Sequence, residues 1–310
     1  MRGGGTPAEL IIPLLLMIAR FNAASPRPGS ALLAMALAAM LTGCADVSQR
    51  ARAYAQKRGM TASVIQGTRF RHQIWTAPER GSAVGPATLY VFIEGDGAPW
   101  IEAGSKVAHD PTPHRPLALE LAAATSAAAA PHAVLYLGRP CYFEPHLDAN
   151  CTPALWTSGR YSDAVVDSLV AAVNRYTAAF DNGPALVLIG YSGGGTLAVL
   201  MAAHLPSTRA VITIAGNLDV TAWVRWHGYL PLTLSENPAA EPHLPDSIRQ
   251  WHLVGGKDGN MPEALERRYF DTMPPGHIWR YPGFDHVCCW VQQWSTILAR
   301  IDAAIMDANR

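Results

Sequence analysis

The sequence is short of charge. Asp, Glu, Lys and Arg supply only 15% of its 310 residues, and 24 basic side chains balance 24 acidic ones. No basic block breaks that balance, which argues against nucleic acid as a partner. The chain has five cysteines but no CxxC pair, so structural zinc is not expected. His109 and His114 in "HDPTPH" do not supply a metal site: the spacing is not the i, i+4 of a helix face, and prolines interrupt it. No apolar run reaches the roughly 20 residues of a membrane-crossing helix. GxGxxG is absent, and no Lys-Ser or Lys-Thr follows the glycines at Gly193–Gly195, so neither common phosphate loop is present. Disorder is excluded too, because a chain that is 49% hydrophobic has enough apolar surface for a large core.

Two short apolar runs stand near the start, Leu10–Ala19 and Ala31–Leu41. Arg20 and Arg27 precede the second, and Leu41-Thr42-Gly43-Cys44 closes it. A basic start, a short apolar stretch and small residues before a cut describe a secretory signal. Leu-Thr-Gly-Cys resembles the bacterial lipobox, which implies removal of residues 1–43 and a lipid on Cys44, hence a membrane anchor. An ordinary signal peptide or a buried helix is the alternative. Ala45 in place of Asp implies, by the same resemblance, the periplasmic face of the outer membrane. The run Leu10–Ala19 leaves Met17 open as a translation start.

Disulfides persist outside the cytoplasm. Cys141 and Cys151, ten positions apart in a Pro- and Asn-rich loop, are then placed to clip it. Cys288 and Cys289 are adjacent, and neighbours bridge only with local strain. Two packed thiols are expected there, with a vicinal disulfide as the alternative.

Residues 44–67 are polar and read as a tether and a first helix. From residue 68 to 310, short apolar runs alternate with helical patterns. Strands are expected at Phe70–Thr76, Ala87–Ile93, Ala133–Leu137, Ala185–Ile189, Ala210–Ile214, Gln250–Val254 and His277–Tyr281. Helices are expected over Arg115–Ala130, Val165–Tyr176 and Thr196–Leu205, and at the C-terminus. The alternation implies crossover connections and one doubly wound α/β domain with a mainly parallel sheet. Residues 217–247 break the rhythm and read as an inserted lid or binding segment.

Gly190-Tyr191-Ser192-Gly193-Gly194 lies between a buried strand and a buried helix. A serine in such a turn needs small neighbours, and the helix N-terminus behind it presents free N–H groups. This GxSxG in strand–turn–helix context resembles the nucleophile elbow of the α/β-hydrolase family. The resemblance spans roughly Ala87 to the C-terminus. It implies a base after the last strand, and His286 in "RYPGFDHVCCW" fits. It implies an acid between serine and histidine in chain order. Asp258 in "GGKDGN" is preferred, with Asp219 as the alternative. Asp285 adjoins His286 and reads as a turn residue. Oxyanion donors are expected from the N–H of Gly193 and, in the loop after Ala87–Ile93, of Asp96. Many family members carry His-Gly where this chain has Glu94-Gly95, and the Asp96 carboxylate has to point away from the developing charge. Glu94 is a candidate to pin that loop. Arg139 in "RPCYFEP" is a candidate for an anionic group, against an ordered loop held by the disulfide.

The implied activity is acyl-ester hydrolysis with no cofactor and no metal, on a small or lipid-like acyl substrate. Thioesterase, amidase and peptidase chemistry use the same parts. The alternative is a hydrolase scaffold kept for binding in the envelope.

Overall fold

The computed structural model describes residues 47–77, 87–128, 132–143 and 148–308. The expected signal, residues 1–43, and Cys44 lie outside the described residues. Helix α1 (Val47–Lys57) leads into strands β1 (Thr61–Gln66), β2 (Arg71–Ala77) and β3 (Thr88–Ile93). A small hairpin follows, β4 (Trp100–Ile101) with β5 (Lys106–Val107), then α2 (Leu117–Ser126) and β6 (Ala133–Leu137). Next come α3 (Asp163–Thr177), β7 (Ala185–Tyr191), α4 (Gly193–Ala202), β8 (Thr208–Ile214) and α5 (Val220–His227). The chain ends with β9 (Arg249–Gly255), α6 (Arg267–Phe270), β10 (Ile278–Tyr281) and α7 (Trp294–Ala308).

Eight strands form one sheet in the order β1-β2-β6-β3-β7-β8-β9-β10. The pairs β1–β2 and β2–β6 are antiparallel, and all the others are parallel. Strands β3 and β7 are buried almost throughout, as a sheet covered on both faces requires. Successive side chains alternate between the faces. Tyr90, Phe92, Val187 and Ile189 pack with α2 and α7. Leu89, Val91, Ile93, Leu186 and Leu188 pack with α3 and α4.

The sheet begins earlier than the sequence reading put it. Residues 61–66, assigned to the tether, form β1 on the edge of the sheet, and the compact unit runs from Asp46 to Arg310. The reason is exposure: β1 has no fully buried residue, so its sequence carries little period-2 pattern.

In segment 217–247 the Asp219 carboxylate caps α5, accepting from Ala222 N–H at 3.0 Å, and Gly228 ends the helix at φ 66. Beyond it, Tyr229, Leu230 and Leu234 are exposed, as is Trp226 on the helix, with Leu230 81% exposed. Backbone bonds from Leu234 to Ser158 (3.3 Å) and from Glu236 to Tyr161 (3.1 Å) hold the segment down.

Cys141 and Cys151 are disulfide-bonded, with their Cα atoms 5.6 Å apart. The expectation of two thiols at Cys288 and Cys289 is overturned: they form a vicinal disulfide across a cis peptide bond. That peptide geometry brings the two Cα atoms to 3.1 Å, closer than a trans peptide allows.

Replacing both Cys141 and Cys151 by Ser is expected to lower stability by about 2–3 kcal/mol, from the loop the bridge closes. Thermal melts with and without reductant check this. Reductant should change the wild type towards the variant, and no difference between the two proteins would refute it.

Candidate active site

The connection from β3 to β6 crosses to one side of the sheet, and the chain returns to β7 on the other side of β3. The C-terminal ends of β3 and β7 therefore flank a switch point, where open α/β sheets leave a crevice. The loop after β7 carries Ser192, and the loop after β3 carries Glu94 to Gly97.

Ser192 adopts φ 52, ψ −123, a conformation serine rarely takes. Its N–H donates to Ile214 O of β8 at 2.9 Å, and its carbonyl accepts from Asn217 N–H at 3.2 Å and Gly195 N–H at 2.8 Å. Gly190 permits the turn, since a Cβ there would run into the Gly194 carbonyl. Gly193 is the second such position: its missing Cβ leaves room for the Asp96 carboxylate and for Tyr161 Oη, which a Cβ would meet at 2.5 Å.

Three expected side chains converge. Ser192 Oγ lies 3.1 Å from His286 Nε2, and His286 Nδ1 lies 2.9 Å from Asp258 Oδ2. A carboxylate only accepts, so Nδ1 carries the proton and Nε2 presents its lone pair to the serine. Asp258 is fully buried, and its other oxygen accepts from Asn260 N–H (2.9 Å) and Met261 N–H (2.8 Å). The His286 ring sits beside Tyr191, whose hydroxyl donates to the His286 carbonyl at 3.1 Å. Asp219 is occupied as the cap of α5, so Asp258 is the carboxylate that reaches the histidine. Asp285 bonds Val287 and Cys288 N–H at 2.8 and 2.6 Å, as a turn residue does.

The loop after β3 is held by two buried acids. Glu94 accepts from the N–H groups of Gly95 (3.1 Å), Ala118 (3.3 Å) and Leu119 (3.4 Å), and from Tyr136 Oη (3.3 Å). Two of those donors open α2, whose N-terminus favours a carboxylate. Burial pushes the Glu94 carboxyl up to about 7, against the four donors that pull it down. The Asp96 carboxylate lies beside Gly193 in a cationic pocket. It meets Arg139 at 2.6 Å and Arg160 at 2.9 Å, and accepts from Tyr161 Oη at 2.6 Å. Burial alone would raise its pKa; Arg160 and Arg139, with Tyr161, override that and hold it at about 2. Tyr142 Oη donates to the Asp96 carbonyl at 2.7 Å. Arg139 is thus an internal ion-pair partner and is not available to an anionic ligand. Gly193 opens α4, so its N–H has no acceptor within the helix. No bond from Asp96 N–H to another described residue is formed.

A second Ser–His pair lies elsewhere. His72 Nε2 is 2.8 Å from Ser168 Oγ, and its Nδ1 donates to Gly138 O at 2.9 Å. Both residues are 0% exposed, and burial drives the His72 pKa down to about 4. With no access for a substrate and a carbonyl in place of a carboxylate, this pair is a core hydrogen bond.

Sequence reasoning missed Arg160, Tyr161 and Asn260. No motif marks the first two; they meet Asp96 only because the chain between β6 and α3 folds back over the elbow. Asn260 lies two residues past Asp258, with its amide Nδ2 3.1 Å from His286 Nε2.

Compared by sequence, the chain matches no family model and no curated protein. Compared by structure, it is similar to a membrane phospholipase A described as a novel bacterial virulence factor. That likeness has a TM-score of 0.55 at 14% identity, over 91% of this chain and 98% of the other. It is similar to an α/β serine hydrolase homologue from Coxiella burnetii, with a TM-score of 0.51 at 13% identity over 78% and 96% of the two chains. It is also similar to mouse α/β hydrolase domain-containing protein 10, with a TM-score of 0.51 at 16% identity over 80% and 99%. The chain has the α/β-hydrolase fold.

Glu94 generates a pH prediction. Its folded pKa of about 7 lies above the ordinary 4.5. Its contribution to stability is therefore whole below pH 4.5 and is lost as the pH rises through about 7. Glu94→Gln removes that dependence. The stability gap between wild type and variant is expected to narrow by about 2.5 kcal/mol between pH 5 and pH 8. Urea titrations at the two pH values measure it, and a constant gap would contradict the assignment.

Proposed function

We propose that this chain is a serine hydrolase that cleaves carboxylic esters through an acyl-enzyme, anchored in the bacterial cell envelope by a lipid on Cys44. The observation that carries the catalytic part is the unbroken line from Ser192 Oγ through the His286 ring to Asp258, with bonds of 3.1 and 2.9 Å. It stands at the switch point of the sheet beside the N-terminus of α4, where Gly193 N–H has no acceptor among the described residues.

In this reading Ser192 Oγ attacks the ester carbonyl carbon while His286 Nε2 takes its proton. Asp258 fixes the ring and stabilises the imidazolium. The carbonyl oxygen, now negative, is held by the N–H groups of Gly193 and Asp96. The carbon–oxygen bond to the leaving alkoxide breaks, and Nε2–H supplies the proton that makes it an alcohol. Water then repeats the attack on the acyl-enzyme, with His286 again as base, and frees the acid and Ser192. No cofactor enters. The Asp96 carboxylate does not oppose the oxyanion, because two arginines accompany it and leave the cluster with one net positive charge.

Two observations favour a lipid-like acyl substrate. Trp226, Tyr229, Leu230 and Leu234 expose apolar surface on the segment that carries α5. The fold is shared with a protein described as a membrane phospholipase A. The anchor and the periplasmic face of the outer membrane rest on Leu41-Thr42-Gly43-Cys44 and Ala45.

A fluorophosphonate probe should modify Ser192 of the wild type and leave Ser192→Ala untouched. His286→Ala is expected to slow nitrophenyl-ester turnover about a million-fold and Asp258→Asn about ten-thousand-fold. Turnover should rise with acyl length from acetate towards octanoate. Modification at another residue, or none, would remove the catalytic reading. For the anchor, radiolabelled palmitate should enter the full-length protein in a bacterial host and be absent from Cys44→Ser. Equal labelling of the two would remove it.

A further inference from the structure

We propose that Tyr142 is a positioning residue for the reaction, its hydroxyl holding Asp96 in place as the second oxyanion donor. This rests on the serine-hydrolase reading and names a residue beyond its triad and its two N–H groups. The contact is direct: Tyr142 Oη donates to the Asp96 carbonyl at 2.7 Å, from a side chain that is itself buried.

The chain around Tyr142 holds that hydroxyl still. The residues on both sides of it have positive φ, 69 at Cys141 and 58 at Phe143, a region that side chains rarely occupy. Such backbone persists only where neighbours over-determine it. Each flank is tied down separately. Cys141 is bonded to Cys151. Phe143 N–H donates to Thr112 Oγ1 at 2.7 Å, and its ring meets Trp75 edge-on with centroids 4.8 Å apart. Tyr142 N–H closes the turn on the Arg139 carbonyl at 3.3 Å.

The loop that Tyr142 meets bears on the serine turn. A Cβ on Gly95 would stand 3.3 Å from Ser192 Cβ, and one on Gly193 would run into the Asp96 carboxylate. A Cβ on Gly97 would stand 3.0 Å from Tyr142 Cε1, so the ring lies close under the loop. Asp96 is held at two points. Arg139, Arg160 and Tyr161 hold its carboxylate, and Tyr142 holds its carbonyl. The carboxylate bonds alone leave the peptide after Asp96 free to turn about ψ. Fixing the side chain and the carbonyl together fixes the frame of the Cα, and so the place of the nitrogen. A donor set before the charge develops costs no reorganisation when it does. Loss of the Tyr142 hydroxyl therefore falls on the transition state and spares substrate binding.

The test compares, in the full chain, turnover of nitrophenyl octanoate with that of its thionoester, in which sulfur replaces the carbonyl oxygen. Sulfur is a weak hydrogen-bond acceptor, so the thionoester draws little from oxyanion donors. Tyr142→Phe keeps the ring under the loop and removes only the hydroxyl. It is expected to lower kcat on the ester about five- to ten-fold, with KM changed less than about two-fold. The rate on the thionoester is expected to fall less than about two-fold, so the preference for the ester narrows about three- to ten-fold. Cys141→Ser combined with Cys151→Ser frees one flank of Tyr142 and should narrow the preference in the same direction. That pair decides the matter should Tyr142→Phe not fold. An equal fall on both substrates means a general structural role and overturns the proposal, as does an unchanged preference or a loss confined to KM. A wild type whose ester turnover survives Ser192→Ala overturns the serine-hydrolase reading itself, and the proposal with it.

Discussion

The backbone of Ser192 turns at φ 52, in a region that serine avoids, and the surrounding structure exists to keep it there. Such a conformation costs about 1–3 kcal/mol and persists only when neighbours over-determine it. Here they do. Strand β8 takes the serine N–H through Ile214 O, and the carbonyl is bound twice. Gly190 leaves room for the returning helix backbone, and Gly194 lies against the Ile93 carbonyl of the neighbouring strand. The hydroxyl is thereby raised above the sheet edge while the backbone below stays buried. The same turn delivers the start of α4, so the proposed nucleophile and the proposed oxyanion donor are set by a single feature of the chain.

The charges divide between the two sides of that turn. On one side a buried carboxylate, Asp258, faces a histidine that the proposed reaction makes cationic. On the other a buried carboxylate, Asp96, is outnumbered by Arg139 and Arg160, so the net sign is positive where the proposed reaction develops negative charge. A lone carboxylate this close to an oxyanion would work against the chemistry in a low-dielectric setting. The arginines answer the objection that the sequence alone raises against Asp96, and they do so by geometry. The guanidinium groups take the two carboxylate oxygens, and Asp96 N–H forms no bond to another described residue. Breaking either ion pair would strand a buried charge, which gives this cluster a structural weight as well as an electrostatic one.

Much of this was legible in the sequence, and the pattern of what was not is physical. Strands buried on both faces, such as Leu186–Ile189, announce themselves as continuous apolar runs. The elbow announces itself through glycines that only tight packing requires. The order Ser192, Asp258, His286 follows from strand ends that project to one edge. What stayed hidden depends on long-range contact or on local exception. Strand β1 has an exposed face on each side and no periodicity to read. Arg160 and Tyr161 sit in an irregular stretch and acquire their role only on meeting Asp96. Asn260 looks like ordinary turn chemistry after Gly259 until the ring of His286 arrives beside it. The bridge between Cys288 and Cys289 contradicts a general expectation for neighbouring cysteines and needs a peptide geometry that no composition rule supplies.

Residues 217–247 are bonded to both sides of the Ser192 turn. At its start, the N–H groups of Leu218 and Asp219 are bound by Glu266, at 2.8 and 2.9 Å, and burial pushes that carboxyl up to about 8. In its middle, His227 holds the carbonyl of Asn260 on the acid–base side. Further on, Glu236 N–H binds the carbonyl of Tyr161, whose hydroxyl holds Asp96 on the oxyanion side. The segment is thus hydrogen-bonded on two sides of Ser192: through His227 to the backbone of the residue that shares a turn with Asp258, and through Glu236 to the backbone of the residue that holds Asp96.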